Sequence, residues 1–404
     1  MRIVDLFSGA GGLTFGFYYE FVNGRFVRTQ NEFVFANEFD KHASDAYQAN
    51  YPDIHMENCN IKELSDDIVC ELIGDREVDL IIGGPPCQSF STVGKRQFDD
   101  KARLYEEYLR MLKIIQPRMF LFENVRGMLS MKEQIPVIDE NKQQIIDGNG
   151  EPVFEDGELI MDIITEQLSS IEGAIGYTIV GKEVLNAKDF GVPQSRERVF
   201  IIGIRNDLVR QIDWHYPEST HGENLLPYLT IRDAISDLPP LVAGGSCDHY
   251  INQPQNQYQI LMRGNNQELT QHYCGTHNEK LTRIIAAVPQ GEGRPYINQL
   301  VDKGELPELC RLTSGYNNTY GRLVGNQPST TITNNMCTPS ALRCIHYGQN
   351  RTISPREGAR IQSFPDWFRF IGKKANVTMQ IGNAVPPLLA MAMARQIEKI
   401  LGGN

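Results

Sequence analysis

The sequence predicts an α/β protein: a doubly wound parallel sheet with a glycine-rich strand-to-helix turn, joined to a second, smaller, loop-rich domain. Two observations carry this. Over the first 205 residues short apolar runs alternate with amphipathic stretches, the pattern of strand-helix units with right-handed crossovers. From about 206 to 320 the chain turns to Asn, Gln, Tyr, Pro and Gly with few long apolar runs, including QPQNQYQ at 253–259 and SGYNNTYGR at 314–322.

In chain order, the strands are RIVDLF at the start, FVFANE at 33–38, VDLII at 78–82, MFLFENV at 119–125 and VFIIGI at 199–204, each rich in the residues of a buried strand. Helices are expected at 41–50, 63–73 and 105–116. Residues 134–158 are polar and turn-rich and read as a surface insertion, with Asn149-Gly150 marking a hairpin. The segment from Pro386 to Leu401 has a helical apolar pattern and should pack back on the first domain. The expected division is 1–205 plus 376–404 against 206–375, and no internal repeat stands out.

A chain of 404 residues with 41% apolar and 22% charged residues is long enough for a large core and ordinary for a globular enzyme. No run approaches the roughly 20 apolar residues of a membrane span, and the opening is a strand pattern rather than a leader, which predicts a cytosolic protein. Eight cysteines without a CxxC pair do not form a disulfide scaffold in a chain this long. The net charge is −11, but residues 321–404 hold ten Lys and Arg against three Asp and Glu. An acidic body with a basic last fifth fits a polyanion on one face, and fits a solvated basic tail nearly as well.

Four local patterns carry chemistry. The turn Asp5-Leu6-Phe7-Ser8-Gly9-Ala10-Gly11-Gly12 lets a ligand approach backbone and helix start, although the GxGxxG spacing of dinucleotide folds is not met. Glu38 ends the second strand, where a carboxylate accepts from ribose hydroxyls, and Asn60-Ile61 follows in the third unit; together they point to a nucleoside-containing cofactor. Cys87 stands on the stiff turn Gly84-Pro85-Pro86-Cys87 beyond a strand's carboxyl end, a position for a nucleophile rather than for an inert buried thiol. Glu123 at the end of MFLFE and Gln194, Arg196 and Arg198 in QSRER belong at the same sheet edge, although each taken singly also reads as a helix-cap carboxylate or a surface ion pair. Cys247, His249, His272, Cys274 and His277 are metal-capable residue types, but their spacing matches no structural zinc pattern, and HNEKLTRI reads better as a capped helix.

These segments resemble the ordered motifs of the DNA (cytosine-5)-methyltransferase family. DLFSGAGG, NEFD, GGPPCQSFS, ENV, QSRERVF, RLVGNQPSTTIT, SPREGARIQSFPDWF and QIGNAVPP occur in the family's order, across most of the chain outside 134–158 and about 206–320. Asn60 departs from the Asp common at that position but keeps a hydrogen-bond acceptor.

The resemblance implies a Rossmann-like S-adenosylmethionine-dependent methyltransferase sheet with a target-recognition domain, acting on C5 of a cytosine flipped out of double-stranded DNA. It implies that Cys87 adds to C6, that Glu123 serves N3, that Arg198 contacts O2 and holds Glu123, and that Arg196 and Gln194 complete the catalytic set, Arg196 by orienting a loop or a phosphate. Cofactor contacts are implied for Phe7, Ser8, Gly9, Ala10, Gly11, Gly12, Glu38, Phe39, Asn60, Ile61, Pro86, Leu104, Asn383 and Val385. DNA contacts are implied for Gln88, Ser91, Lys95, Arg96 and Arg322. A monomer acting beside a cognate restriction endonuclease, without metal or membrane, is the implied setting. Three rivals stay open: a transfer-RNA methyltransferase of the same family, a non-catalytic DNA-binding relative, and a nicotinamide dehydrogenase. The long variable region and the absence of a Cys-Phe-Thr signature weigh against the first; Cys87, Glu123 and Arg198 weigh against the second, and the missing GxGxxG against the third.

Overall fold

The computed structural model describes residues 1–86, 104–140, 143–171 and 173–402. Seven strands form the central sheet: β1 (Arg2–Leu6), β2 (Glu32–Asn37), β3 (Met56–Glu57), β4 (Leu80–Gly83), β5 (Met119–Val125), β6 (Tyr177–Asn186) and β7 (Glu197–Arg205). Their order is β6-β7-β5-β4-β1-β2-β3. Strand β1 pairs in parallel with both β2 and β4, so the chain reverses its winding direction there, and the carboxyl ends of β1, β2, β4 and β5 form one edge.

The apolar runs become strands because both faces are covered. Ile3, Leu80, Ile82, Leu121 and Ile202 point into one cluster; Val4, Leu6, Ile81, Phe122 and Ile201 point into another. Four amphipathic segments supply crossover helices: α1 (Gly12–Tyr18), α2 (Lys41–Asn50), α3 (Asp66–Ile73) and α4 (Leu104–Ile115). Asp40 caps α2 by accepting from Ala43 N at 2.8 Å. The helix expected from residue 63 starts later, because Asn60 first caps a short 3-10 turn and Ser65 then caps α3.

Two expectations need correction. VFIIGI is antiparallel to its neighbours, not parallel: β7 pairs antiparallel with both β5 and β6, and the few residues between β6 and β7 are too short for a parallel crossover. The insertion also holds a short repeat. Val137, Ile145 and Val153 head three eight-residue units (VIDENKQQ, IIDGNGEP, VFEDGELI) and bond in a closed circuit, Val137 N to Val153 O, Val153 N to Ile145 O and Ile145 N to Val137 O. The expected hairpin at Asn149-Gly150 is present, with Gly150 at φ +84° and its N–H on Asp147 O.

The first cluster runs on from the sheet through Ile231, Tyr258, Leu323, Ile332, Phe364 and Phe368 to the helix Pro387–Leu401, which packs on α1 as expected. A smaller cluster around Ile284, Ile285, Ile297 and Ile345 lies beneath the region 279–312. By composition Lys374–Leu401 is apolar enough to span a membrane, but 72% of its most apolar window is buried inside the protein.

Candidate active site

Glu123 and Arg198 meet because strand geometry puts them on one face. Arg198 opposes Val125 and Phe200 opposes Glu123 across β7 and β5, so alternate residues share a side. Arg198 Nε lies 3.0 Å from Glu123 Oε1, with both side chains 13% exposed. Burial raises the Glu123 carboxyl above its ordinary range, and the positive charges of Arg198 and Arg196 oppose that rise. The carboxylate presses on the turn after β4: a Cβ on Gly84 would lie 2.7 Å from Glu123 Oε2 and would push the carboxylate aside. Asn124, buried at 5% exposure, donates from Nδ2 to Pro85 O at 3.0 Å and so ties β5 to the turn that leads to Cys87. Sequence reasoning missed Asn124, although it is the centre of the ENV triplet.

Gln194 and Arg196 stand behind this pair rather than in it. Gln194 is fully buried, donating from Nε2 to Gln362 Oε1 at 2.7 Å and accepting from Ile332 N at 2.6 Å. Arg196, at 1% exposure, donates to Ile332 O at 2.7 Å and Gly382 O at 2.8 Å. Most of their polar groups are taken by main chain and by Gln362 from the last third of the protein, so they fix the entry of β7, and Arg196 Nε is left buried without a partner. Arg322 is corrected more sharply. At 6% exposure its guanidinium donates to the carbonyls of Val288, Ile285, His346 and Gln349 and to Asn350 Oδ1, leaving nothing for a DNA phosphate. Cys87, Gln88, Ser91, Lys95 and Arg96 lie outside the described residues.

Next to this edge the glycine-rich turn is held open. Phe7 and Gly9 adopt left-handed backbone, φ +56° and +57°, and a Cβ added at Gly9 would meet nothing within 4 Å. Gly9 N–H donates to Glu38 Oε2 at 2.8 Å, while Glu38 Oε1 accepts from Asp40 N at 2.7 Å. Gly11, at φ +89°, is clamped by Tyr51, whose hydroxyl donates to Gly11 O at 2.6 Å. Ser8 Oγ is buried without a partner. Open space at Gly9, an orphaned hydroxyl and a carboxylate at the end of β2 form a cradle that fits a nucleoside. Phe39 is 72% exposed beside it, and Ile61 is 2% exposed under the turn. Asn60 Oδ1 accepts from Lys62 N at 3.1 Å. Ala10 and Val385 are buried and Asn383 is exposed; Pro86 and Leu104 border the undescribed segment.

The cysteine and histidine residues of the second region meet only in pairs, Cys247 with His249 and Cys274 with His277, each at 3.8 Å. His272 bonds Ser354 and Pro239 O, and its carbonyl accepts from Cys247 N. Among the described residues no group of three or more His, Cys, Asp or Glu is placed to hold a metal ion.

A family model described as C-5 cytosine-specific DNA methylase matches residues 1–399. The Type II methyltransferase M1.HphI of Haemophilus parahaemolyticus is 34% identical over 99% of this chain and 87% of its own length. The Type II methyltransferase M.DdeI of Desulfomicrobium norvegicum is 34% identical over 98% of this chain and 88% of its own. Among solved structures, a prophage-encoded protein from E. coli superposes with a TM-score of 0.71 at 23% identity over 100% of this chain and 99% of its own. Spodoptera frugiperda DNMT2 gives 0.57 at 15% identity over 98% and 99%. Both share the α/β fold with its mixed sheet. The chain belongs to the C-5 cytosine-specific DNA methylase family and is a DNA (cytosine-5-)-methyltransferase.

Proposed function

We propose that this C-5 cytosine methyltransferase attacks C6 of a flipped-out cytosine with Cys87 while Glu123 and Arg198 manage the charge that the attack creates. Cytosine C5 is too weak a nucleophile alone; sulfur added at C6 makes it enamine-like and able to take a methyl group, and loss of the C5 proton and of the thiolate then restores the ring. Addition pushes negative charge onto the ring. A buried carboxyl whose proton is retained above the usual range shares that proton at N3, and the Arg198 guanidinium contacts O2 while holding Glu123 in register. S-adenosylmethionine, when bound, supplies a methyl group on a sulfonium centre. Phe7 to Gly12 and Glu38 hold its nucleoside, with Phe39, Asn60, Ile61, Pro86, Leu104, Asn383 and Val385 around it. The observation that carries the reading is the Arg198–Glu123 pair packed on Gly84, three residues before Cys87.

In the same reading residues 206–375 select the DNA sequence, 1–205 plus 376–404 do the chemistry, and Gln88, Ser91, Lys95 and Arg96 close over the duplex. The Type II names of the relatives support a restriction-modification setting, with a cognate endonuclease in the cytosol.

The test incubates the protein with tritiated S-adenosylmethionine and either duplex DNA or transfer RNA, and repeats it with Cys87→Ser. Label on DNA that disappears in the variant is expected. Label on RNA only, or undiminished label in the variant, overturns the reading. DNA carrying 5-fluorocytosine should trap a covalent adduct at Cys87, because fluorine does not leave as the proton does.

A further inference from the structure

The ladder that sets Glu123 beside Arg198 carries one further rung. Val125, the last residue of β5, opposes Arg198 on β7. One step out in the same register stand Arg126 and Glu197, and Arg126 Nη1 lies 2.9 Å from Glu197 Oε2. At Arg126 the strand gives way to a 3-10 turn, Arg126–Ser130, so this pair stands at the carboxyl edge itself. Its side chains are 67% and 42% exposed, against 13% for each member of the Arg198–Glu123 pair. Other cations along the edge are already held. Arg196 is buried on main-chain carbonyls, and Lys188, just beyond β6, donates to Asp189 Oδ1 and to the Tyr228 hydroxyl, each at 2.8 Å. Arg126 is held by an exposed carboxylate, a contact that water and salt weaken.

We propose that Arg126 is a positioning residue for DNA: it leaves Glu197 for a phosphate beside the flipped cytosine. This rests on the base-flipping reading above. A nucleotide turned about its backbone sends its base inward to Glu123 and Arg198 and keeps its phosphates outside, on the rim where Arg126 stands three residues past Glu123. A phosphate offers the guanidinium two oxygens in fork geometry and releases condensed counterions, so it outcompetes an exposed carboxylate. Without DNA, Glu197 holds the guanidinium in place and puts a negative charge where a phosphate would lie. The exchange therefore fixes the register of the strand without reading its bases.

The test measures label transfer from tritiated S-adenosylmethionine to unmethylated plasmid DNA, and filter binding of the same DNA over a range of salt, for the native enzyme, Arg126→Ala, Arg126→Lys and Glu197→Gln. In Arg126→Ala the KM for DNA should rise about fivefold or more while kcat falls far less, the split expected of a contact made equally in ground and transition states. With about 0.9 counterion released per phosphate, the affinity handicap of Arg126→Ala should be about 3.5-fold larger at about 50 mM salt than at about 200 mM. Arg126→Lys keeps a charge and should keep most of the native salt slope. Glu197→Gln removes the competitor and should tighten DNA binding, a gain that shrinks in the Arg126→Ala background. A lowered Tm in Arg126→Ala with the salt slope unmoved, equal losses in the Ala and Lys variants, or weaker binding in Glu197→Gln overturns the proposal. Trapping on 5-fluorocytosine DNA reports the base-flipping reading separately. No adduct with the native enzyme sinks that reading, whereas an adduct with an unmoved salt slope sinks the role of Arg126.

Discussion

Gly9→Ala separates a glycine needed by the ligand from one needed by the fold. The position is left-handed at φ +57°, so alanine there costs about 1 kcal/mol in backbone strain. The added methyl meets no protein atom within 4 Å, so packing contributes no further loss. In a chain of this size such a change lowers Tm by about 2 °C. If the open space belongs to the nucleoside, the same methyl clashes with the ligand by about 1–3 kcal/mol, a loss of about 5-fold to 150-fold in affinity. Calorimetric titration with S-adenosylhomocysteine, alongside ligand-free melting, reads the two effects separately. Gly11→Ala is the contrast: its methyl would lie 2.2 Å from the Tyr51 ring, so it should strike the fold and lower Tm far more. Affinity within twofold of wild type in Gly9→Ala, with the fold intact, would refute the assignment of this space to the cofactor.

Glu123→Gln strands the Arg198 guanidinium against a neutral amide and so should lower Tm, while turnover of the folded enzyme falls about a hundredfold or more, because the amide cannot deliver a proton to N3. In the native enzyme the chemical step should slow as pH rises through the raised Glu123 value, measured in single turnovers. Arg322→Ala should destabilise the protein by several kcal/mol, since it orphans four carbonyls, yet leave the affinity of the folded fraction for DNA unchanged in gel-shift titrations. Asp5 has its folded value raised from 3.8 to about 7, so the stability it permits is complete below pH 4 and is lost as pH rises through 7. The ceiling of that loss is on the order of 4 kcal/mol, and Asp5→Asn should remove it from denaturant midpoints compared between pH 4 and pH 8.

The strands were legible because a sheet covered on both faces writes itself as continuous apolar runs, as in VDLII and MFLF. The direction of β7 was not, since VFIIGI has the same composition whether it runs parallel or antiparallel; only the short path from Asn186 to Glu197 decides it. At the site, Glu123 and Arg198 were readable as partners because both flank strands whose ends must lie together. Gln194 and Arg322 misled for one shared reason. A polar side chain advertises its donors in the sequence, but not whether groups from elsewhere in the chain have already taken them.

That reason also explains the basic last fifth of the chain. Arg351 is fully buried against Glu357 at 2.6 Å, Arg360 is fully buried between Asp237 and Asp366, and Arg356 is spent on Thr270 and on the carbonyls of Pro365 and Phe368. With Arg322, four of the ten basic residues are thus internal, so part of the charge that suggested a polyanion face is mortar, while Arg343, Arg369, Lys373, Lys374, Arg395 and Lys399 are not buried. The buried arginines join 231–270 to 351–370, the two stretches that continue the sheet's core into the second region. Breaking one buried partner strands a charge and costs about 3–5 kcal/mol, whereas a surface phosphate contact would cost DNA affinity and no stability. Asp366→Ala should accordingly lower the melting temperature of DNA-free protein; an unchanged Tm would mean that the arginine cluster is not the joint between the two regions.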